Sequence, residues 1–484
     1  MDVVTYVQCF LSLSLCYCLV DLLAAKAQIR KRLELPVVGS PSTLVPWSIL
    51  NIKFATNAAQ LLEKGYAKFK TQAFQLIRSD GSVVVLPQSL LSELSALPSS
   101  IASPNAALEN DLLGPYTGLD LILESRLHHS IVQRKLTPRL GKITSGLEHE
   151  LKYAFQEYFP SCNEWVEFTP YQLLGKVSAR LSGRALVGSD LCRNATWLDI
   201  SFNYTENSKN LLSPRIQKLL QRSDEGSWSP EDNEDDLNVL SWLADTAKGK
   251  DRDPETLAHV EVLLALASVH TTLLRMVNVL YDLTANPGYF KVLQDEIKRE
   301  AESTLGWTEA SYLRLEKLDS VLRESQRMSP PTILGMKRLF KQPYQFSNGL
   351  HVPKGTYTCL PIFAIENDPE NTPQPEIFDG LRSYRYNQSM ELSNDETSFD
   401  GEKRVFSSTD QTALNFGYGK SACPGRYFAS LVIKILFVKL LTEYQFKFLP
   451  GTTRPKNIMA HEFLFCWPWQ EMMIRQKADS GCPF

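Results

Sequence analysis

Apolar residues recur with a helical period over most of this chain and form strand-like runs in only a few short stretches. Helical patterns stand out at residues 147–158, 254–283, 312–328 and 424–444. The second is the longest: Asp253 can cap it, Pro254 suits its first turn, and Asn286-Pro287-Gly288 marks its end. Leu257, Val260, Leu264, Val269, Leu273 and Val277 spread over most of its circumference, which predicts a helix running through the core. Strand patterns at 74–77 and 83–86 flank Asp80-Gly81, a hairpin turn signal, and Asn348-Gly349 makes a second turn. Pro353 and Lys354-Gly355 precede a third short strand at 357–360. The pattern predicts a mainly α fold with small β-sheets.

The first residues depart from it. Residues 3–20 are 18 uncharged positions in a row, extended by residues 22–25, which is enough to cross a bilayer of about 30 Å. Asp21 falls near the interface, and Lys26, Arg30, Lys31 and Arg32 follow, so the positive-inside rule leaves the rest of the chain in the cytosol. A cleaved secretory signal is the competing reading, but no basic residue precedes the apolar stretch. Residues 1–25 are therefore read as a single transmembrane anchor, 26–41 as a basic, proline-rich linker, and 42–484 as one globular domain.

Composition narrows the function. With 484 residues and 43% hydrophobic content, the chain can bury a large core, and no glycine-serine linker or repeat divides it. A net charge of −3 gives no reason to expect nucleic acid as a partner and favours an apolar small molecule. Nine cysteines are an odd number, and Cys9, Cys16 and Cys18 fall in the anchor, so a reducing compartment fits better than a disulfide framework. The sequons at Asn194, Asn203 and Asn387 then read as chance, and residues 224–236, rich in acids, as a solvated loop.

Three places carry candidate chemistry. Ala267-Ser268-Val269-His270-Thr271-Thr272 interrupts the apolar central helix. A threonine bonding the carbonyl one turn back is its structural reading; the functional one is that small residues leave room for a reactant, Thr271 relays protons and His270 passes them near neutral pH. Glu324 and Arg327 share a helix face, Ser329-Pro330-Pro331 ends that helix, and Arg382 follows in Phe378-Asp379-Gly380-Leu381-Arg382. Finally, Phe416-Gly417-Tyr418-Gly419-Lys420-Ser421-Ala422-Cys423-Pro424-Gly425-Arg426 delivers one cysteine to the first turn of a long apolar helix, whose unpaired amides favour a thiolate. Gly417 and Gly419 permit the turn, Gly425 admits a flat ligand, and Phe416 can shield the sulfur.

Taken in this order, the segments resemble the cytochrome P-450 family from about Pro36 to the C-terminus. The loop is similar to its haem-binding signature at Phe416, Gly419, Cys423 and Gly425, and departs at Ser421, where the family usually has a cation for a haem propionate. The resemblance implies that Cys423 is the axial ligand of heme b iron, that Thr271 stands at the oxygen-activating threonine, and that His270 replaces the usual acid beside it. It implies that Glu324, Arg327 and Arg382 brace the haem-side core. Arg134, with Lys135 as rival, lies where the family has a propionate-binding arginine; the neighbouring His128 and His129 diverge by about 100° on a helix and are a poor metal pair.

The implied fold holds the haem between the central helix and the cysteine loop. Thiolate ligation favours cleavage of the O–O bond of dioxygen. No GxGxxG segment lies between strand and helix, so electrons come from NADPH-cytochrome P-450 reductase, with cytochrome b5 as an optional donor, on the endoplasmic reticulum membrane. Substrate contacts are expected at residues 105–122, 263–267, 332–336 and 458–465. The resemblance is to fungal members that oxidise terpenoids, meroterpenoids or indole-terpenoids. A reductase-independent isomerase or dehydratase of the same fold, and a non-catalytic haem-binding protein, are the alternatives.

Overall fold

The computed structural model describes residues 12, 16, 19–20, 33–39, 47–78, 81–117, 125–203, 208–226, 228–303, 307–393, 403–478 and 481–484. The anchor and basic segment expected from the sequence lie outside these residues but for isolated positions, as do Asp80 and the end of the expected 105–122 contact loop.

The predicted hairpin is present. Strand β1 (Phe74–Arg78) pairs antiparallel with β2 (Gly81–Val85), from Phe74 opposite Val85 to Arg78 opposite Gly81. Val83, Val84 and Val85 of β2 then pair in parallel with β8 (Tyr357–Leu360). The remaining strands of this sheet are β5 (Gly335–Phe340) and β3 (Ala102–Ser103), in the order β1-β2-β8-β5-β3. Three smaller sheets surround the helices. In one, β4 (Val166–Phe168), β12 (Met472–Gln476) and β9 (Tyr444–Phe448) lie side by side. The others are the pairs β6 (Tyr344–Gln345) with β7 (His351–Val352), and β10 (Ile458–Ala460) with β11 (Phe463–Phe465). Gly349, at φ +86°, supplies the left-handed residue of the β6–β7 turn.

The central helix runs from Pro254 to Ala285, with the Asp253 side chain accepting from the Thr256 N–H at 2.8 Å. By length and composition it could cross a membrane, yet it is mostly buried by the rest of the protein. The helices Pro170–Leu191, Ala195–Asn203 and Ser208–Asp224 pack along it, and the helix Arg426–Glu443 also touches it. Val177, Leu181, Leu273, Val277, Leu436 and Leu440 belong to the one large core these helices share.

Three expectations are corrected. The pattern at 312–328 is two helices, Glu309–Leu313 and Glu316–Met328, because Leu315 leaves helical geometry (ψ 71°) while its side chain becomes fully buried. The helix after the cysteine starts at Arg426, so Cys423 and Pro424 precede it. The acidic stretch is only partly solvated, since buried Asp236 accepts from the Trp228 indole N–H at 2.8 Å and from Arg222 at 3.4 Å. Asn387, one of the three sequons, is buried, and its amide bonds the backbone of Arg404 in both directions.

Candidate functional site

The cysteine loop closes on itself. The Cys423 N–H donates to the Phe416 carbonyl at 2.7 Å, and two positions inside the turn favour glycine. Gly417 sits at φ +77°, and a Cβ there would meet the Ser421 carbonyl oxygen at 2.7 Å. Gly419 sits at φ +58° against Ser95. Gly425 has an unstrained φ of −87°, and a Cβ on it would stand 4.0 Å from Cys423 Sγ, so glycine leaves that side of the sulfur clear. Phe416 packs edge-on to Phe406 at 5.2 Å.

Cys423 is exposed to solvent although protein crowds its sulfur on most sides, which places it in a recess. Burial is the largest influence on its thiol and pushes the pKa up; the N–H groups of Gly425 and Arg426 and the Arg426 guanidinium offset this only in part. The helix-end amides therefore reach the sulfur as the sequence predicts, but do not by themselves make it a thiolate.

On the central helix, Ala267 and Thr271 are exposed amid neighbours that are buried or half-buried. These two lie one turn apart, and the Thr271 hydroxyl donates to the Ala267 carbonyl at 2.7 Å. Small polar groups tie the opposite side of this turn to the helix Pro170–Leu191: Ser268 Oγ lies 3.1 Å from Ser182 Oγ, and Ser178 donates to the Val269 carbonyl at 2.8 Å. His270 points elsewhere. Its Nε2 lies 2.9 Å from the Phe202 carbonyl, which can only accept, so Nε2 carries the proton. Burial pushes its pKa down. His270 thus ties the turn carrying Thr271 to the end of the helix Ala195–Asn203.

Glu324, Arg327 and Arg382 come together. Arg327 is bidentate on Glu324, Nη2 to Oε1 at 2.7 Å and Nε to Oε2 at 2.9 Å, while Arg382 Nε stands 3.4 Å from Oε1. The Asp379 N–H donates to the same oxygen at 3.0 Å, and Arg327 also holds the Pro375 carbonyl and Asn367. Glu324 and Arg327 are buried, so removing one partner costs about 3–5 kcal/mol.

The segment containing Arg134 packs on the cysteine loop. Residues Val132–Leu136 form a π-helical turn, Val132 Cγ1 would stand 4.0 Å from a Cβ on Gly425, and Thr137 donates to the Pro424 carbonyl at 3.4 Å. Lys135 pairs with Asp245 at 3.6 Å, whereas Arg134 is exposed with no carboxylate partner among the described residues.

One residue escaped the sequence reading. Arg338, on β5, is 3% exposed and has no carboxylate partner among the described residues; it donates to the Lys337 carbonyl at 2.8 Å and to Ser421 Oγ at 2.9 Å. Burial pushes its pKa down to about 10. The departure at Ser421 thus has a physical counterpart, a cation delivered to the cysteine loop from a neighbouring strand. Alternation was the available signal, because Met336, Arg338 and Phe340 share the buried face of β5.

An exposed thiol in a recess, two exposed small residues on a buried helix, and a buried cation lacking an anion fit a flat group that binds sulfur, needs an open face and carries carboxylates. Haem has these properties.

Comparison with known proteins agrees. Residues 196–473 match the family model of cytochrome P450. The chain is 33% identical to the cytochrome P450 monooxygenase AN1598 of Emericella nidulans, over 95% of this chain and 90% of that one. It is 31% identical to the ent-kaurene oxidase of Gibberella intermedia, over 96% and 91%. Among solved structures, retinoic acid-bound cyanobacterial CYP120A1 superposes with a TM-score of 0.63 at 18% identity, covering 92% of this chain and 99% of that one, which is a likeness of fold.

Proposed function

The chain belongs to the cytochrome P450 family and is a haem-iron monooxygenase with a cysteine thiolate as axial ligand; on that premise we propose that Cys423 is the ligand and that the protein oxidises an apolar terpenoid-class metabolite. The observation that carries this is the exposed Cys423, held by a closed glycine loop with the amides of Gly425 and Arg426 at its sulfur. When bound, haem supplies dioxygen activation and oxygen insertion into a carbon–hydrogen bond.

The chain's own residues bind, shield and deliver protons. Phe416 and Phe406 keep water from the thiolate side. Gly417 and Gly419 hold the loop's shape, and Gly425 leaves room beside the sulfur. Arg338, held by Ser421, and Arg134 take the propionates. Thr271 presents its hydroxyl at the exposed turn and passes protons there. His270 serves this turn as a strut through Phe202, in place of the direct relay expected from the sequence. Glu324, Arg327 and Arg382 brace the core below.

Substrate enters among residues 105–122, 263–267, 332–336 and 458–465. Exposed Phe463 and Phe465 suit an apolar guest, and the ent-kaurene oxidase relative is named for a diterpene reaction. Electrons come from NADPH-cytochrome P450 reductase, with cytochrome b5 as an optional donor, and residues 3–25 hold the protein to the endoplasmic reticulum membrane with the haem domain in the cytosol.

Cys423→Ser tests the reading: we expect loss of the red-shifted band of the reduced carbon monoxide complex and loss of turnover. Retention of both would overturn the assignment.

A further inference from the structure

We propose that four clustered charged residues, buried Arg78 and Glu462 with half-buried Asp111 and Lys337, act as positioning residues that fix the substrate-contacting segments against one another and so set which ligands the pocket accepts. The inference rests on the pocket reading above. All four possible pairs are made. Arg78 reaches Asp111 at 2.9 Å and Glu462 at 2.8 Å; Lys337 reaches Asp111 at 2.7 Å and Glu462 at 3.0 Å. Their side chains are 5%, 7%, 17% and 2% exposed for Arg78, Asp111, Lys337 and Glu462. The Tyr357 hydroxyl donates to Asp111, and the Arg78 guanidinium lies 4.5 Å from the Tyr357 ring centre. Two cations and two anions leave the set neutral.

The pairs add charge contacts between elements that also meet through the backbone: the helix Pro104–Asp111 packs on β5, and the Ile333 N–H donates to the Glu462 carbonyl at 2.8 Å. Asp111 ends the helix Pro104–Asp111, Lys337 follows the expected contact segment 332–336, and Glu462 is the turn of the β10–β11 hairpin. That hairpin has three residues per strand, all exposed or half-buried, and so short a hairpin is marginal alone. Met459 and Leu464 pack on the core and the His461 N–H donates to the Ala55 carbonyl at 3.3 Å, while the deeply buried turn carboxylate adds the charge contacts that fix the tip.

Backbone conformation points the same way. Among the described residues, four non-glycine positions have positive φ, and three of them stand beside this set: Leu113 (φ 53°) near Asp111, Met336 (φ 51°) before Lys337 and His461 (φ 54°) before Glu462. Such conformations persist where surrounding structure over-determines them and collect at ligand clamps. Between Gly335 and Arg338 the register of β5 against β8 also shifts. Ion pairs that hold three strained positions beside the expected substrate contacts hold the shape of that region.

The test uses the full-length holoprotein and two haem ligands read by the Soret shift. Imidazole needs only the iron, whereas clotrimazole, with its triaryl body, fills the pocket. In Glu462→Gln, with the reduced carbon monoxide band retained, we expect unchanged imidazole affinity and clotrimazole binding weakened about tenfold or more. Lys337→Met/Glu462→Met, again neutral in sum, should recover thermal stability without recovering clotrimazole affinity; recovery of both would assign the set to folding alone and overturn the proposal. Equal clotrimazole affinity in wild type and Glu462→Gln would also overturn it. A wild type that gives no imidazole shift would instead sink the haem-site reading, and this inference with it.

Discussion

Arg338 brings a charge into the interior without a carboxylate to meet it among the described residues, so the fold bears its desolvation. We therefore expect Arg338→Met to fold but to hold haem about tenfold more weakly, measured as haem content per chain after dilution. Full occupancy would pass the propionate role to Arg134. Glu261 is the opposite case. It is fully buried on the central helix, neither carboxylate oxygen has a hydrogen-bond partner among the described residues, and burial holds its pKa well above the ordinary range. The folded chain therefore keeps a proton that the unfolded chain releases, and stability present below the ordinary glutamate value is lost as pH rises toward the folded-state value. Glu261→Leu should remove that pH dependence and raise the neutral-pH thermal midpoint, by about 1–3 kcal/mol of stability. A lowered midpoint would show that the carboxyl has a task.

Elements divide into those legible from local pattern and those that are not. The β1–β2 hairpin and the central helix stood out because turn chemistry and capping are local: Gly81 opens β2, and Asp253 caps the Thr256 N–H. Phe416, Cys423, Thr271, Glu324 and Arg382 were likewise singled out by ordered motifs. Arg338 and the charged set were not, because their meaning lies in pairings across 33 to 384 residues, as from Arg78 to Asp111 and to Glu462. His270 was singled out on the central helix, but its bond to the Phe202 carbonyl was not legible, since nothing in its neighbourhood along the chain announces Phe202. Glu324 shows an element-scale dependence: it joins the helix Glu316–Met328 to the start of the helix Arg382–Ser393. Glu324→Gln should leave two arginines under-paired and cost about 3–5 kcal/mol, seen as a lower thermal midpoint and poor haem retention. An unchanged midpoint would confine the cluster to a passive role.

At the scale of the molecule, membrane attachment and electron supply can be separated. Removing residues 1–25 should release the protein from sedimenting membranes while the carbon monoxide spectrum persists; complete sedimentation would require a further lipid contact. Oxidation of NADPH by reductase in the presence of the intact protein and substrate separates a monooxygenase from an isomerase or a haem carrier. The parallel pairing of Val83–Val85 with Tyr357–Cys359 has a further consequence, for the order of assembly. The β1–β2 hairpin leaves the ribosome early, yet the strand that completes its far edge is made only after most of the chain. Contacts so distant in sequence close slowly and leave an unpaired edge meanwhile. A nascent chain stalled before residue 357 should therefore be protease-sensitive and chaperone-bound, and should become resistant once that strand has emerged.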